Sequence, residues 1–422
     1  MSQLTADIHG HHGSHGHDHH APVLDTKAVT LPQGSGRVAS MILLLIGALC
    51  AIVTLLVGLS NEHNTKHALA SYLVGFGTAL AMALGSLGYV MIFQQTNAGW
   101  SAGLRRTYEA TASQIWVCAI LFLPIALFAG KLYGWMDPAH VEHDPILQHK
   151  QAFLNKGFWY GRAVFYFLLW TFLATRLYKW SREQDQTGDK WLTARARRLS
   201  APGLLLFALS TAFAAFDWFM SLDAHWFSTM FGVYYFAGSI LTATSTCAVI
   251  LAVFRLRGKL NGVITDEHFH DQGKLMVAFT IFWAYIAFFQ YFLIWYGNLP
   301  EETLWFQVRS QNGWENIGML LVVGHFALPF LLLLWRGVKR STRGLMLVGI
   351  WMILMQIADM FYVVRPAVGH DALNFNFFLD VLAPLAPVCI FLGFVIRKVC
   401  SAPLVPINDP RLHESLIHKN YV

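Results

Sequence analysis

The sequence predicts an all-α integral membrane protein of about ten transmembrane helices. Three observations predict it. Of 422 residues, 55% are hydrophobic and only 13% charged, whereas about a quarter of a soluble domain is charged. Apolar runs of about 20 residues, long enough to cross a hydrocarbon core as a helix, recur along the chain. The basic residues gather in every second connection between these runs. Lipid offers the backbone no hydrogen-bonding partner, so each run must satisfy its own N–H and C=O groups and is read as a helix.

The runs fall at roughly 38–60, 69–93, 113–134, 157–179, 200–221, 227–254, 274–297, 315–335, 345–364 and 374–397. The connections after the second, fourth, sixth and eighth hold sixteen Lys and Arg, while the opposite connections hold five: Lys66, Lys150, Lys156, Arg309 and Arg365. This asymmetry places both termini in the cytoplasm and the connection between the fifth and sixth runs outside. It also accounts for the net charge of +6 without a nucleic-acid partner. The chain thus divides into a cytoplasmic tail (1–37), a ten-helix transmembrane domain (38–397) and a cytoplasmic C-terminal tail (398–422).

The first tail carries seven histidines between His9 and His20, interleaved with Gly, Ser and Asp. It reads as a flexible low-complexity segment without fixed metal geometry, and it lacks the basic flank and short apolar core of a signal peptide. In the second run Gly77, Ala81 and Gly85 form a small-residue stripe for close helix approach. The third contains Pro124. An external segment, 135–156, follows. Arg162, a turn inside the outer end of the fourth run, is either a snorkelling residue or a counter-ion. The basic stretch 180–199, ending KWLTARARR, suits an anionic lipid surface.

The stretch AAFDWFMSLDAHWFSTMFGVYY, 214–235, departs most from a generic span. Asp217 falls late in the fifth run, and an uncompensated carboxylate at a helix centre costs about 2.5–3.5 kcal/mol on insertion scales. Asp223 and His225 follow in a tight hairpin, ringed by aromatics including Trp218 and Trp226 that suit the headgroup level. Gln290 lies in the outer half of the seventh run. His325 sits mid-depth in the eighth, and Pro329 leaves the carbonyl of residue 325 without its helical partner. Gln356 and Asp359 lie toward the outer end of the ninth, with Arg365 just beyond, and Asp380 lies in the first third of the tenth, before Pro384 and Pro387. Asp217 and Asp359 match in depth four helices apart, which hints at a repeat of four-helix units.

The five cysteines, 50, 118, 247, 389 and 400, form no CxxC or CxxCH motif. The sequence therefore provides no iron–sulfur cradle and no site for covalent haem. His325 alone lies well inside a run, so no facing pair for a b-type haem is expected, and no metal-ligating or catalytic residue is assigned.

The run DWFMSLDAHWFSTMFGVYYFAG, with HDQGKLMVAFTIFWAYIAFFQYFLIWYGNLPEE, resembles the second quinone-type membrane subunit of bacterial alternative complex III, a quinol:electron-acceptor oxidoreductase. The resemblance covers about 200–422 strongly and the earlier runs by layout; the His-rich tail lies outside it. That subunit is similar to NrfD or polysulfide-reductase-type anchors, and the resemblance implies two four-helix bundles plus two flanking helices in a bacterial inner membrane. It implies partners in a respiratory complex: a sister NrfD-like subunit near the quinol site, and subunits carrying iron–sulfur clusters and haem c. This chain would hold no redox cofactor, with quinol or menaquinol the one candidate ligand.

On that reading Asp217, Asp359, His325, Asp380, Asp223 and His225 are candidates for a proton path, and Gln290, Arg162, Gln356 and Trp218 for a polar network or quinone pocket. Two other readings stay open: a proton-coupled secondary transporter, or a structural scaffold whose polar residues satisfy one another.

Overall fold

A computed structural model describes residues 24–368 and 373–420. Among the described residues nine helices are long and apolar enough to cross a membrane. In chain order the spans are α1 (Arg37–Gly58), α2 (Glu62–Gln95), α3 (Gly99–Leu127, in several segments), α4 (Lys156–Thr187), α5 (Trp191–Trp218), α6 (Phe231–Leu256), α7 (Asp266–Gly297), α8 (Trp314–Leu334), α9 (Thr342–Val368) and α10 (Phe377–Val399). α4 falls outside the nine. Its 32 residues match the others in length, but Trp, Tyr and Arg dilute its hydropathy. Its outer face still presents Phe158, Val164, Phe165, Leu168 and Phe172, an apolar surface that suits lipid.

The spans α2–α5 close one four-helix bundle and α6–α9 a second; α1 and α10 pack on each other at the flank. α2 is the spine, touching α6, α9 and α10 as well as its own bundle. Its small residues permit this. A Cβ on Gly85 would collide with the Ser239 carbonyl of α6, and one on Gly75 with the Pro384 carbonyl of α10.

Three helices are broken, each for a local reason. α3 stops at Ala112, resumes at Ile115 and turns again at Phe122, before Pro124. α8 contains a π-helical stretch, Leu321–Ala327, just before Pro329, and Trp351 of α9 donates to the Gly324 carbonyl there at 2.7 Å. Pro366 in α9 cannot donate to the Tyr362 carbonyl four residues back. Arg309, from the outer helix Pro300–Arg309, donates to that carbonyl at 3.0 Å and to Val363 O at 2.7 Å.

The basic face is covered by both ends of the described chain. Leu404 N–H donates to Val29 O at 2.8 Å and Leu260 N–H to Ala28 O at 3.0 Å, so residues near 28, 260 and 404 lie together. Residues 24–36 thus pack on this face, while the histidines at 9–20 lie outside the described residues. Beneath the C-terminal segment, Arg105 pairs with Glu109 and Asp409, and Arg106 pairs with Asp185, all buried.

Two local expectations are corrected. The segment 180–199 is no surface helix: α4 runs on to Thr187 and α5 starts at Trp191, so its basic residues extend two spans. The hairpin after Asp217 is not tight either, because a short turn at Met220–Leu222 and an irregular stretch precede Phe231.

Candidate functional site

Asp217 lies in the last turn of α5, fully buried. Arg162 of α4 grips it with both arms, Nη2 to Oδ1 at 2.6 Å and Nε to Oδ2 at 2.8 Å, and the Tyr166 hydroxyl donates to Oδ2 at 2.8 Å. Four residues separate Arg162 from Tyr166, so both face α5. The guanidinium is held in turn by the Phe153 carbonyl at 3.0 Å and by the rings of Phe153 and Phe158, 3.9 and 4.2 Å away. Of its two sequence readings, Arg162 is the counter-ion. Even the backbone is used: the Asp217 carbonyl accepts from Trp159 Nε1 and from the Ser221 hydroxyl.

Trp218 and Trp226 are not headgroup anchors. Trp218 is fully buried against Phe122 and Phe167 in the first bundle, its ring centroid 4.7 and 5.4 Å from theirs; Trp226 stacks on Trp305 at 4.5 Å.

Asp359 of α9 is set differently. It is 1% exposed, and its partners are the Tyr234 hydroxyl of α6 and, at 3.3 Å, Trp283 Nε1 of α7. Among the described residues no Lys, Arg or His pairs with it. Trp283 stacks on His325 of α8, centroids 4.0 Å apart, and neither ring nitrogen of the fully buried His325 has a hydrogen-bond partner among the described residues. One turn toward the basic face, Gln356 accepts from Thr242 at 3.0 Å, in room left by Gly238. Deeper still, Gln272 donates to the Tyr108 hydroxyl at 2.8 Å and to Thr244 O at 2.9 Å. Polar side chains thus recur at three levels of the second bundle.

Asp380 belongs to a third buried centre. Its Oδ1 lies 2.7 Å from His67 Nε2, 2.9 Å from Ser71 Oγ and 3.0 Å from Arg365 Nε, and its Oδ2 accepts from Asn376 N–H at 2.8 Å. This cluster ties α2, α9 and α10 together. Arg365, read as lying just beyond its span, is buried here.

The remaining candidates lie near the outer face. His225, exposed, meets Asp144 of the external segment at 2.5 Å. Burial there works against ionisation, but the Leu147 N–H and the His225 ring hold the Asp144 carboxyl below its usual value. Asp223 shares that crevice with His225 and Asp144. Gln290 accepts from Ser228 at 3.0 Å.

The structure therefore joins Asp359, through Trp283, to His325, and keeps Asp217 in the other bundle; the three do not form one cluster. Sequence reasoning missed Tyr166, Tyr234, Trp283 and His67. Only His67 left a signal, as a titratable residue at the edge of a run that an intramembrane Asp380 could call on. The chain matches no protein-family model and no curated protein.

Proposed function

We propose that this chain is a redox-inert membrane subunit of a bacterial quinol-oxidising respiratory complex, and that its second bundle carries a proton half-channel from the basic face to Asp359. The reading takes the basic face as cytoplasmic, from the charge asymmetry of its loops. The quinol complex itself rests on the sequence resemblance.

One observation carries the half-channel: Asp359 is a buried carboxylate with hydroxyl and indole partners and no cation among the described residues, at the head of a series of polar side chains. Burying an ionised carboxylate without a counter-charge is costly. A group so placed can exchange charge with its surroundings by gaining or losing a proton, and intramembrane carboxylates characteristically mark proton relays. Asp217, neutralised by Arg162, holds the first bundle together instead.

Two measurements test this. Solubilised from native membrane in mild detergent, the chain should comigrate with haem and iron–sulfur subunits; migration alone, with proton-driven solute uptake after reconstitution, would favour a transporter. In the assembled complex, Asp359→Asn should slow quinol oxidation or uncouple it from proton movement. Unchanged turnover and proton stoichiometry would leave the scaffold reading.

A further inference from the structure

The basic end of the membrane domain holds a groove of about 580 Å3 between α3, α4 and α10. It exists because α3 is broken: Ser113 and Gln114 fall between two helical segments, and the Gln114 amide donates to Ser113 Oγ at 2.8 Å instead of reaching across to a neighbouring helix. Lys179, from α4, and Arg397 and Lys398, from the end of α10, rim the groove. The neighbouring Arg105, Arg106 and Arg182 are engaged by Glu109, Asp409 and Asp185. Among the described residues, no carboxylate lies within ion-pair distance of the three rim cations, and no acidic side chain lines the groove.

The walls are aromatic. Lys398 Nζ sits 4.4 Å above the ring of Tyr178, and Trp116, 40% exposed, packs edge-on against Phe394 at 5.4 Å. The groove lies where three apolar runs begin or end, near residues 113, 179 and 397. That is headgroup depth, where Trp and Tyr rings and Lys and Arg side chains meet the interface.

We propose that this groove binds the phosphodiester headgroup of an anionic phospholipid, with its acyl chains lying along Trp116 and Phe394. Three unneutralised cations call for negative charge, and basic pockets between transmembrane helices on the cytoplasmic side suit lipid phosphates. A zwitterionic headgroup would bring its own cation against the rim. Free phosphate would satisfy the cations and leave the aromatic wall unused.

The test is native mass spectrometry of the full-length protein in mild detergent, titrated with phosphatidylglycerol. Replacing all three cations (Lys179→Gln, Arg397→Gln, Lys398→Gln) should weaken the tightest lipid adduct by roughly tenfold or more, given the contribution of each basic residue at an anionic surface. A control removing equal charge from the same face, Arg195→Gln with Arg197→Gln and Arg198→Gln at exposed positions, should leave that adduct in place. Lys179→Gln alone, also exposed, should weaken it a few-fold and decides the matter if the triple variant misfolds. Equal losses in the two triple variants would reduce the effect to diffuse surface charge and overturn the site, as would no loss in the groove variants. Displacement of the lipid by inorganic phosphate at matching concentration would overturn the lipid assignment.

Discussion

The two bundles treat a buried carboxylate in opposite ways. In the first, Asp217 receives a bidentate guanidinium and a tyrosine hydroxyl, and rings close over the guanidinium. In the second, Asp359 receives a tyrosine hydroxyl and an indole N–H but no cation among the described residues. Both sit late in the last helix of their bundle, so depth alone does not separate them. The neighbouring helix does: α4 offers Arg162 where α8 offers His325, stacked against Trp283. An ion pair with its lone pairs filled is locked, because moving a proton through it would leave a guanidinium unmatched in a low-dielectric interior. A carboxylate held by neutral donors has no such lock. The difference suits a structural role for the first and a proton-handling role for the second.

The largest expected effect attacks the first bundle. Arg162→Met leaves Asp217 buried with the Tyr166 hydroxyl as its remaining side-chain donor, and breaking a buried pair by removing one partner costs about 3–5 kcal/mol. Thermal unfolding in detergent should show this as a clear loss. Adding Asp217→Leu removes the orphaned charge and should recover most of it, since a packed apolar pair can replace a buried ion pair. If the single variant is as stable as the parent, the lock does not exist and the contrast between the bundles fails.

Asp359→Asn should do less to stability and more to function. The amide keeps one acceptor for Tyr234 or Trp283 but presents an NH2 group to the other donor, a mismatch worth about 1–3 kcal/mol. Assembly should survive, while quinol-coupled proton movement falls. Asp217→Asn should show the reverse: reduced assembly, with unchanged proton stoichiometry in whatever complex forms. Identical behaviour of the two variants would mean that the neighbouring helix is not what distinguishes them.

This contrast is only half legible in the sequence. Span number, depth and the unusual carboxylates follow from composition and periodicity, which are local. Partner choice is not local. Asp217 and Arg162 are 55 positions apart, and His67 and Asp380 313. A tyrosine such as Tyr166 or Tyr234 inside an aromatic run carries no mark of which way its hydroxyl points. Helix ends escape the sequence for a related reason: hydropathy marks where lipid ends, whereas α4 and α5 continue past that level because Gln184 and Thr193, at 2.8 Å, hold them together beyond it. Arg309 reads as loop charge, and nothing in its own neighbourhood shows that the missing N–H of Pro366, far along the chain, gives it a carbonyl to cap.

The smallest expected effect on stability is also the sharpest test of the second bundle. Gln356 lies one turn from Asp359 on α9 and accepts from Thr242. Gln356→Leu removes that bond without stranding the hydroxyl, because Thr242 Oγ1 already lies 2.7 Å from the Gly238 carbonyl and can donate there alone. Leucine is of similar size, and Gly238 leaves room beside it. With no polar atom orphaned, the stability change should stay within about 1 kcal/mol. A scaffold role for the polar series would then predict no functional change at all. A proton path predicts slower proton uptake from the basic face, because the step between Thr242 and Asp359 has lost its polar side chain, while electron transfer measured with the membrane potential collapsed is less affected. Measuring turnover of the assembled complex with and without an uncoupler separates the two: a deficit that the uncoupler does not change, or no deficit in either condition, would remove Gln356 from the path and leave Asp359 without a route to the basic face.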